Sequence, residues 1–257
     1  MELGIAGRTA LVCASTSGLG RAVAEALARE GARVVVSGRR EELARGIAAE
    51  LPSATGVGVD LLTPTGPARL VERATAAFGP IDILVLNGPG PRPATVTEIQ
   101  DHELGASVDS LVTTHHRLLS LTLPDMRRRR WGRVLAIGSS AVTAPIGDLA
   151  LSGIGRTALA AYLKMLATEV AADGVTVNML LPGRIATGRV EQLDAARAAV
   201  AGHTVGAERA RSAARIPMNR YGSPEEFAQS AAFLCSEAAA YITGTALRCD
   251  GGQSPVL

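Results

Sequence analysis

Aromatic side chains make up only 3% of the 257 residues. The core must therefore come from Ala, Val, Leu and Ile. Cysteine is also scarce. Cys13, Cys235 and Cys249 are odd in number and lack metal-ligand spacing, so nothing suggests a disulfide framework, and a reducing compartment follows. Cys13 and Cys249 fall inside expected strands, where a free thiol acts as a small hydrophobe. Net charge is only +2, too small to argue for a nucleic-acid partner. No apolar run is long enough to span a bilayer. The amino terminus carries Glu2 and an early strand rather than a basic region followed by an apolar stretch, so no signal peptide is expected. A cytoplasmic protein without a membrane partner is the expectation. There is no low-complexity linker and no repeat, which makes 1–257 a single α/β domain. A content of 47% hydrophobic and 19% charged residues fits a folded chain with a large core.

What is present is most informative between Arg8 and Arg40. The apolar run from Thr9 to Cys13 reads as a buried strand. The small-residue turn Ala14-Ser15-Thr16-Ser17-Gly18-Leu19-Gly20 follows it. Ala22, Val23, Ala26 and Leu27 then recur at helical spacing, Gly31 closes the helix, and Arg33 to Ser37 makes the next strand. Amide groups at such a helix start are unpaired and attract phosphate. Glycine there removes a Cβ that would hold a pyrophosphate away. Ala14 stands where the first glycine of the three-glycine fingerprint would be, so an ordinary strand-to-helix turn is the competing account.

Strands and helices alternate to the end of the chain. Further strands are expected at 54–59, 81–86, 133–137, 175–180 and 245–249. Helices are expected at 41–50, 67–77, 101–130, 148–172, 188–215 and 224–236. The strands are continuous apolar runs, as for strands buried on both faces. The expected fold is a Rossmann-type, doubly wound parallel sheet of about seven strands with helices on both faces. Ligands in such sheets bind at the carboxyl ends of strands, so the loops after Cys13, Ser37, Leu86, Ile137 and Leu180 should share one cleft. The run Arg127-Arg128-Arg129-Arg130 reads as a solvated helix end whose cations complement the dipole.

Several spaced motifs together resemble the short-chain dehydrogenase/reductase family over nearly the whole chain, in its 3-oxoacyl-(acyl carrier protein) reductase-like branch. Ser17-Gly18-Leu19-Gly20 resembles its glycine turn, and Asp60 its adenine-contacting Asp. Asn87-Gly88-Pro89-Gly90 resembles its Asn-Ala-Gly motif. Pro182-Gly183-Arg184-Ile185-Ala186-Thr187 resembles the segment that holds the nicotinamide amide. Tyr221-Gly222-Ser223-Pro224-Glu225-Glu226 and Tyr241-Ile242-Thr243-Gly244 resemble its C-terminal landmarks. The resemblance implies a cofactor site built from Ala14, Ser15, Ser17, Gly18, Leu19, Gly20, Arg39, Arg40, Asp60, Asn87, Gly88, Pro182, Gly183, Ile185 and Thr187. It also implies a substrate lid at 188–215 and a homotetramer.

The family's chemistry uses Ser, Tyr and Lys, the last two spaced Y-x-x-x-K on one helix face. Ser139 fits the first position. Ser152 stands at the Tyr position and Arg156 at the Lys position, anchored by Arg156-Thr157-Ala158-Leu159. Leu111 occupies the place of the family Asn, with Asp109 two positions away. Tyr162 is ten residues past Ser152, roughly 15 Å along a helix, and cannot replace the phenol. A guanidinium with a pKa above about 12 can stabilise an oxyanion but cannot shuttle a proton. Three accounts stay open. Ser139, Ser152 and Arg156 polarise a carbonyl while water or substrate supplies the proton, Arg156 anchors the cofactor ribose, or the pair is merely tolerated.

The second strand ends Ser37-Gly38-Arg39-Arg40 with no carboxylate. Cations there suit a 2′-phosphate, so NADP(H) is favoured over NAD(H). His115 and His116 are adjacent on a helix, cannot chelate together, and read as surface or interface residues. No metal site is expected. Arginines in 188–215, among them Arg189 and Arg197, could meet an anionic substrate or carrier, and an exposed helix is the simpler account. The functional expectation is NADP(H)-dependent reduction of a small-molecule, possibly carrier-linked, 3-oxoacyl or ketone carbonyl with an altered proton relay. The alternative is a non-redox isomerase, cyclase or dehydratase, or a dinucleotide-binding module.

Overall fold

A computed structural model describes residues 2–255. Its centre is one seven-stranded sheet in the order β3-β2-β1-β4-β5-β6-β7. The strands are β1 (Thr9–Val12), β2 (Arg33–Gly38), β3 (Ala54–Gly58), β4 (Ile83–Leu86), β5 (Gly132–Ile137), β6 (Val175–Pro182) and β7 (Ala246–Cys249). Every pairing is parallel. The helices are α1 (Gly18–Arg29), α2 (Glu41–Ala49), α3 (Gly66–Phe78), α4 (Asp101–Val108), α5 (Thr114–Arg129), α6 (Ala150–Val170), α7 (Gly188–Ala201), α8 (Val205–Ala213) and α9 (Pro224–Leu234).

Two apolar layers sandwich the sheet. On one face Val23, Leu27, Ile47, Phe227 and Leu234 pack onto Val12, Val34, Val36 and Val85. On the other Leu70, Leu118, Leu119, Leu159 and Leu163 pack onto Leu11, Val35, Leu84 and Val177. Burial of both faces explains the uninterrupted apolar runs of the sequence. Strand order reverses between β1 and β4, so the loops leaving their carboxyl ends diverge and open a cleft.

Three expected helices are shaped differently. The 101–130 stretch is helical from Asp101 to Arg129, as expected, but carries a π-turn at Asp109–Thr113 between α4 and α5. The 188–215 stretch is two helices. Gly202 ends α7 in the left-handed region at φ 67°, and the Thr204 hydroxyl caps α8 by accepting from Ala207 N at 3.2 Å. The 148–172 helix is α6 alone, followed by a 3-10 turn at Ala171–Asp173. The four-arginine run is also less free than a solvated end. Arg127 pairs with Asp173, Arg128 with Asp125 and Arg129 with the buried Asp82, while Arg130 donates to Ala172 O and closes α5 at φ 53°. Among the described residues no helix is long and apolar enough to cross a membrane.

Candidate active site

The turn after β1 makes the floor of the cleft. Gly18 has φ +54°, and a Cβ built there would meet nothing nearer than Thr187, at 3.9 Å. Space in front of it is open. Gly20 is the tight position, since a Cβ there would lie 2.6 Å from Ala14 O and 2.7 Å from Asn87 Nδ2. That close approach lets Asn87 Nδ2 donate to Ala14 O at 3.1 Å, tying the β4 loop to the turn. Ala14, at the first-glycine place, is held at φ 46°. Ser17 precedes α1 without capping it through its side chain, and the first turn of α1 holds no acid. The helix start therefore presents amides and a positive dipole end to the cleft. This uncapped turn, open at Gly18, fits a dinucleotide diphosphate.

The remaining expected cofactor residues sit around this floor. Leu19, the second residue of α1, packs on the core. Ser15 is different: it is fully buried, donating to Val12 O at 2.7 Å and accepting from Ser37 N at 2.9 Å. Its side chain locks β1 to β2 and does not face the cleft. Arg39 and Arg40 are exposed just past β2, with no ion pair among the described residues. Asp60 is exposed, and its carboxylate accepts from Leu62 N at 3.0 Å. Gly88 has open space around it. Pro182 ends β6, and Gly183 N donates to Cys249 O at 3.0 Å. Ile185 is buried in the core, bridged to Gly222, and can offer only backbone. Thr187 stands across from Gly18 and caps α7 by accepting from Val190 N.

Of the three residues singled out for chemistry, Ser152 and Arg156 are in direct contact, and Ser139 follows the end of β5, to which Arg156 is bonded. Arg156 is 8% exposed. Its Nε donates to Ser152 Oγ, one helical turn back, at 3.2 Å, and its Nη1 donates to Ile137 O, two residues before Ser139. Arg156 thus clasps α6 to β5. Ser139 Oγ accepts from Ala141 N at 3.1 Å. Each serine oxygen is therefore already an acceptor, and each O–H has no acceptor among the described residues. Two hydroxyl donors are left for a substrate oxygen. Burial pushes the Arg156 guanidinium down to about 10, and the charge of Arg189 acts in the same direction. That is below the ordinary arginine value used in the sequence argument, yet the group stays cationic at neutral pH.

No phenol takes the missing place. Tyr162 OH bonds His116 Nδ1 at 2.9 Å. Tyr221 OH donates to Asp194 Oδ2 at 2.9 Å. The Asn place is filled by fully buried Leu111, inside the π-turn. The thiols are inert, because burial raises Cys13 and Cys235 to about 12. Among the described residues no group of His, Cys, Asp and Glu could hold a metal ion.

Sequence reasoning missed three features. His115 is not a surface residue: it is 2% exposed, with Nδ1 bonded to Leu111 O at 2.8 Å, and burial lowers it to about 4. Its adjacency to His116 masked it, although the two must lie on different helix faces. Thr16, next to the turn's serines, lies against Gly38 at the end of β2. Asp194 is buried, paired with Arg184 Nη2 at 3.0 Å and with Tyr221, and so fastens α7 to the loop after β6. No local pattern marks Asp194, because its partners are distant in sequence.

Comparison with known proteins identifies the family and the fold. The family described as enoyl-(acyl carrier protein) reductase matches residues 13–254. The chain is 35% identical over 250 residues to 3-oxoacyl-(acyl-carrier-protein) reductase FabG of Escherichia coli, covering 96% of this chain and 97% of that protein. It superposes on L-sorbose reductase of Gluconobacter frateurii, complexed with NADPH and L-sorbose, with a TM-score of 0.93 and 33% identity over the whole of both chains. An actinorhodin polyketide ketoreductase with NADPH gives a TM-score of 0.92 and 29% identity, covering 97% of this chain and 98% of that one.

Proposed function

The chain belongs to the short-chain dehydrogenase/reductase family, in its 3-oxoacyl-(acyl carrier protein) reductase-like branch, and is an oxidoreductase acting between CH–OH and C=O; within that family we propose that it reduces a carbonyl with NADP(H) through an altered proton relay. The observation that carries this reading is the pair of free hydroxyl donors, Ser139 and Ser152, beside cationic Arg156 in the cleft. The amides at the start of α1 would hold the diphosphate, and Arg39 and Arg40 a 2′-phosphate. Both NADPH-bound structural neighbours favour the phosphorylated cofactor. A bound nicotinamide supplies the hydride.

Ser139 and Ser152 donate to the substrate oxygen and hold it in place. Arg156 supports Ser152 and offsets negative charge that develops there. None of these groups can deliver a proton near neutral pH, so water reached from the open side of the cleft reprotonates the oxygen. Losing positioned acid catalysis slows the step by ~100- to 10,000-fold against a tyrosine-bearing relative. The 188–215 helices act as the substrate lid. The chain assembles as a homo-oligomer, supported by exposed Leu104, Val108 and Leu121 on α4 and α5 and Met165 on α6; a monomer on sizing chromatography would refute this.

The test is an NADPH fluorescence titration followed by a panel of 3-oxoacyl thioesters and ketones. Binding and turnover are expected. The double variant Ser152→Tyr/Arg156→Lys is expected to gain rate. Tight binding without turnover of any compound would point to a binding module, and absence of binding would refute the cofactor reading.

A further inference from the structure

Arg156 is a buried cation without a carboxylate. Its two protein partners, Ser152 Oγ and Ile137 O, are neutral, and Nη2 has no partner among the described residues. Burying an unpaired charge is costly unless something compensates it. The acids that could do so are engaged elsewhere. Asp148 takes two bonds from Arg197, at 2.9 and 3.1 Å, Asp194 is paired with Arg184, and Glu103 with Arg92. A second cation makes matters worse. Arg189 sits in the first turn of α7, where the dipole already disfavours positive charge. It leans over Gly90, donates to Pro91 O at 2.7 Å, and is near enough for its charge to be felt at Arg156. The loop that Arg189 bonds is bridged at Ala94 to Leu149, just ahead of Ser152 and Arg156 on α6, and among the described residues no side-chain anion is bonded to either guanidinium.

We propose that Arg156 and Arg189 form an anion subsite beside Ser152, and that the substrate is a 2-oxo or 3-oxo acid whose carboxylate completes it. The 3.2 Å contact between Arg156 and Ser152 sets the spacing. A molecule touching both through separate oxygens carries its carboxylate within one or two carbons of the carbonyl. This rests on the reductase reading for the word substrate, but the subsite itself does not.

The first experiment therefore needs no turnover. Malonate and its dimethyl ester are titrated calorimetrically into the cofactor-free protein and again with saturating NADPH. Malonate is expected to bind in both states and the ester in neither. Arg189→Leu, an exposed position that leaves the core intact, is expected to weaken malonate by about tenfold or more while NADPH affinity stays within about twofold. Arg156→Met is expected to abolish malonate binding, while the loss of its bonds to Ser152 and Ile137 is followed separately by thermal melting, so that weakened binding is read only on folded protein. Equal behaviour of malonate and ester overturns the proposal. So does displacement of malonate by NADPH, which would assign the arginines to the cofactor. The second experiment compares acetoacetate with methyl acetoacetate as substrates, and the acid is expected to have the higher kcat/KM. Turnover of neutral ketones without malonate binding sinks the subsite alone. Malonate binding without turnover of any carbonyl sinks the reductase reading alone.

Discussion

Ala14→Gly should make the protein more stable, against the usual rule that a new glycine weakens a fold. Among the described residues Ala14 is one of three non-glycine residues with positive φ, at 46°. It cannot relax, because its carbonyl accepts from Asn87 and lies where Gly20 packs. A left-handed L-residue costs about 1–2 kcal/mol. Glycine there would remove that cost but lose about 0.5–1 kcal/mol more chain entropy on folding. The net gain is about 0.5–1 kcal/mol. For a chain of this size that raises Tm by about 1–4 °C. Ala14→Val, whose branched Cβ tolerates this region worse, should destabilise by about 1–3 kcal/mol. The assay is urea unfolding of all three proteins at equal slope, with thermal melts in parallel. A lower midpoint for the glycine variant would refute the reasoning, since it would mean that Ala14 sits comfortably at negative φ.

His115 is held neutral by burial, from 6.5 down to about 4. The unfolded chain takes up a proton there between those values and the folded one does not, so stability is lost as pH falls from about 6.5 to about 4, by about 3 kcal/mol in all. His115→Gln should flatten that limb of the pH–stability curve, and an unchanged limb would show that the imidazole is already charged in the fold. Turnover should be flat from neutral pH to about pH 9 and fall as Arg156 loses its proton at about pH 10, because Arg156 is the group whose charge the proposed site uses; a bell centred near neutrality would reveal an unrecognised acid or base. Asp194→Asn should cost about 3–5 kcal/mol by leaving Arg184 uncompensated at a site where the carboxylate is 3% exposed. Limited proteolysis should then cut in 188–215 first, and unchanged protection would show that the pair does not fasten these helices.

Much of this protein is readable from its chain. The apolar runs from Thr9, Arg33, Ile83 and Val175 announce strands buried on both faces, because only such strands can omit polar alternation. Their alternation with helices then leaves few topologies, and parallel order with crossover helices is the one observed. The turn at Gly18 and Gly20 was legible too: Gly18 takes a positive φ, and at Gly20 no Cβ fits. So was the pairing of Ser152 with Arg156, whose four-residue helical spacing puts them in contact.

What the chain alone left undecided depends on partners far apart in sequence. Ser15 looked like a phosphate ligand until the fold consumed its hydroxyl between Val12 and Ser37. The π-turn between α4 and α5 carries no proline or glycine, because it answers to packing rather than to local preference. His115 and Asp194 are polar residues that only a surrounding core makes special. The isolation of Arg156 is visible only once Asp148, Asp194 and Glu103 have each been placed with another arginine. Local sequence determines backbone periodicity and where side chains must be absent, whereas burial and charge pairing are sums over neighbours that exist only after the chain has closed on itself.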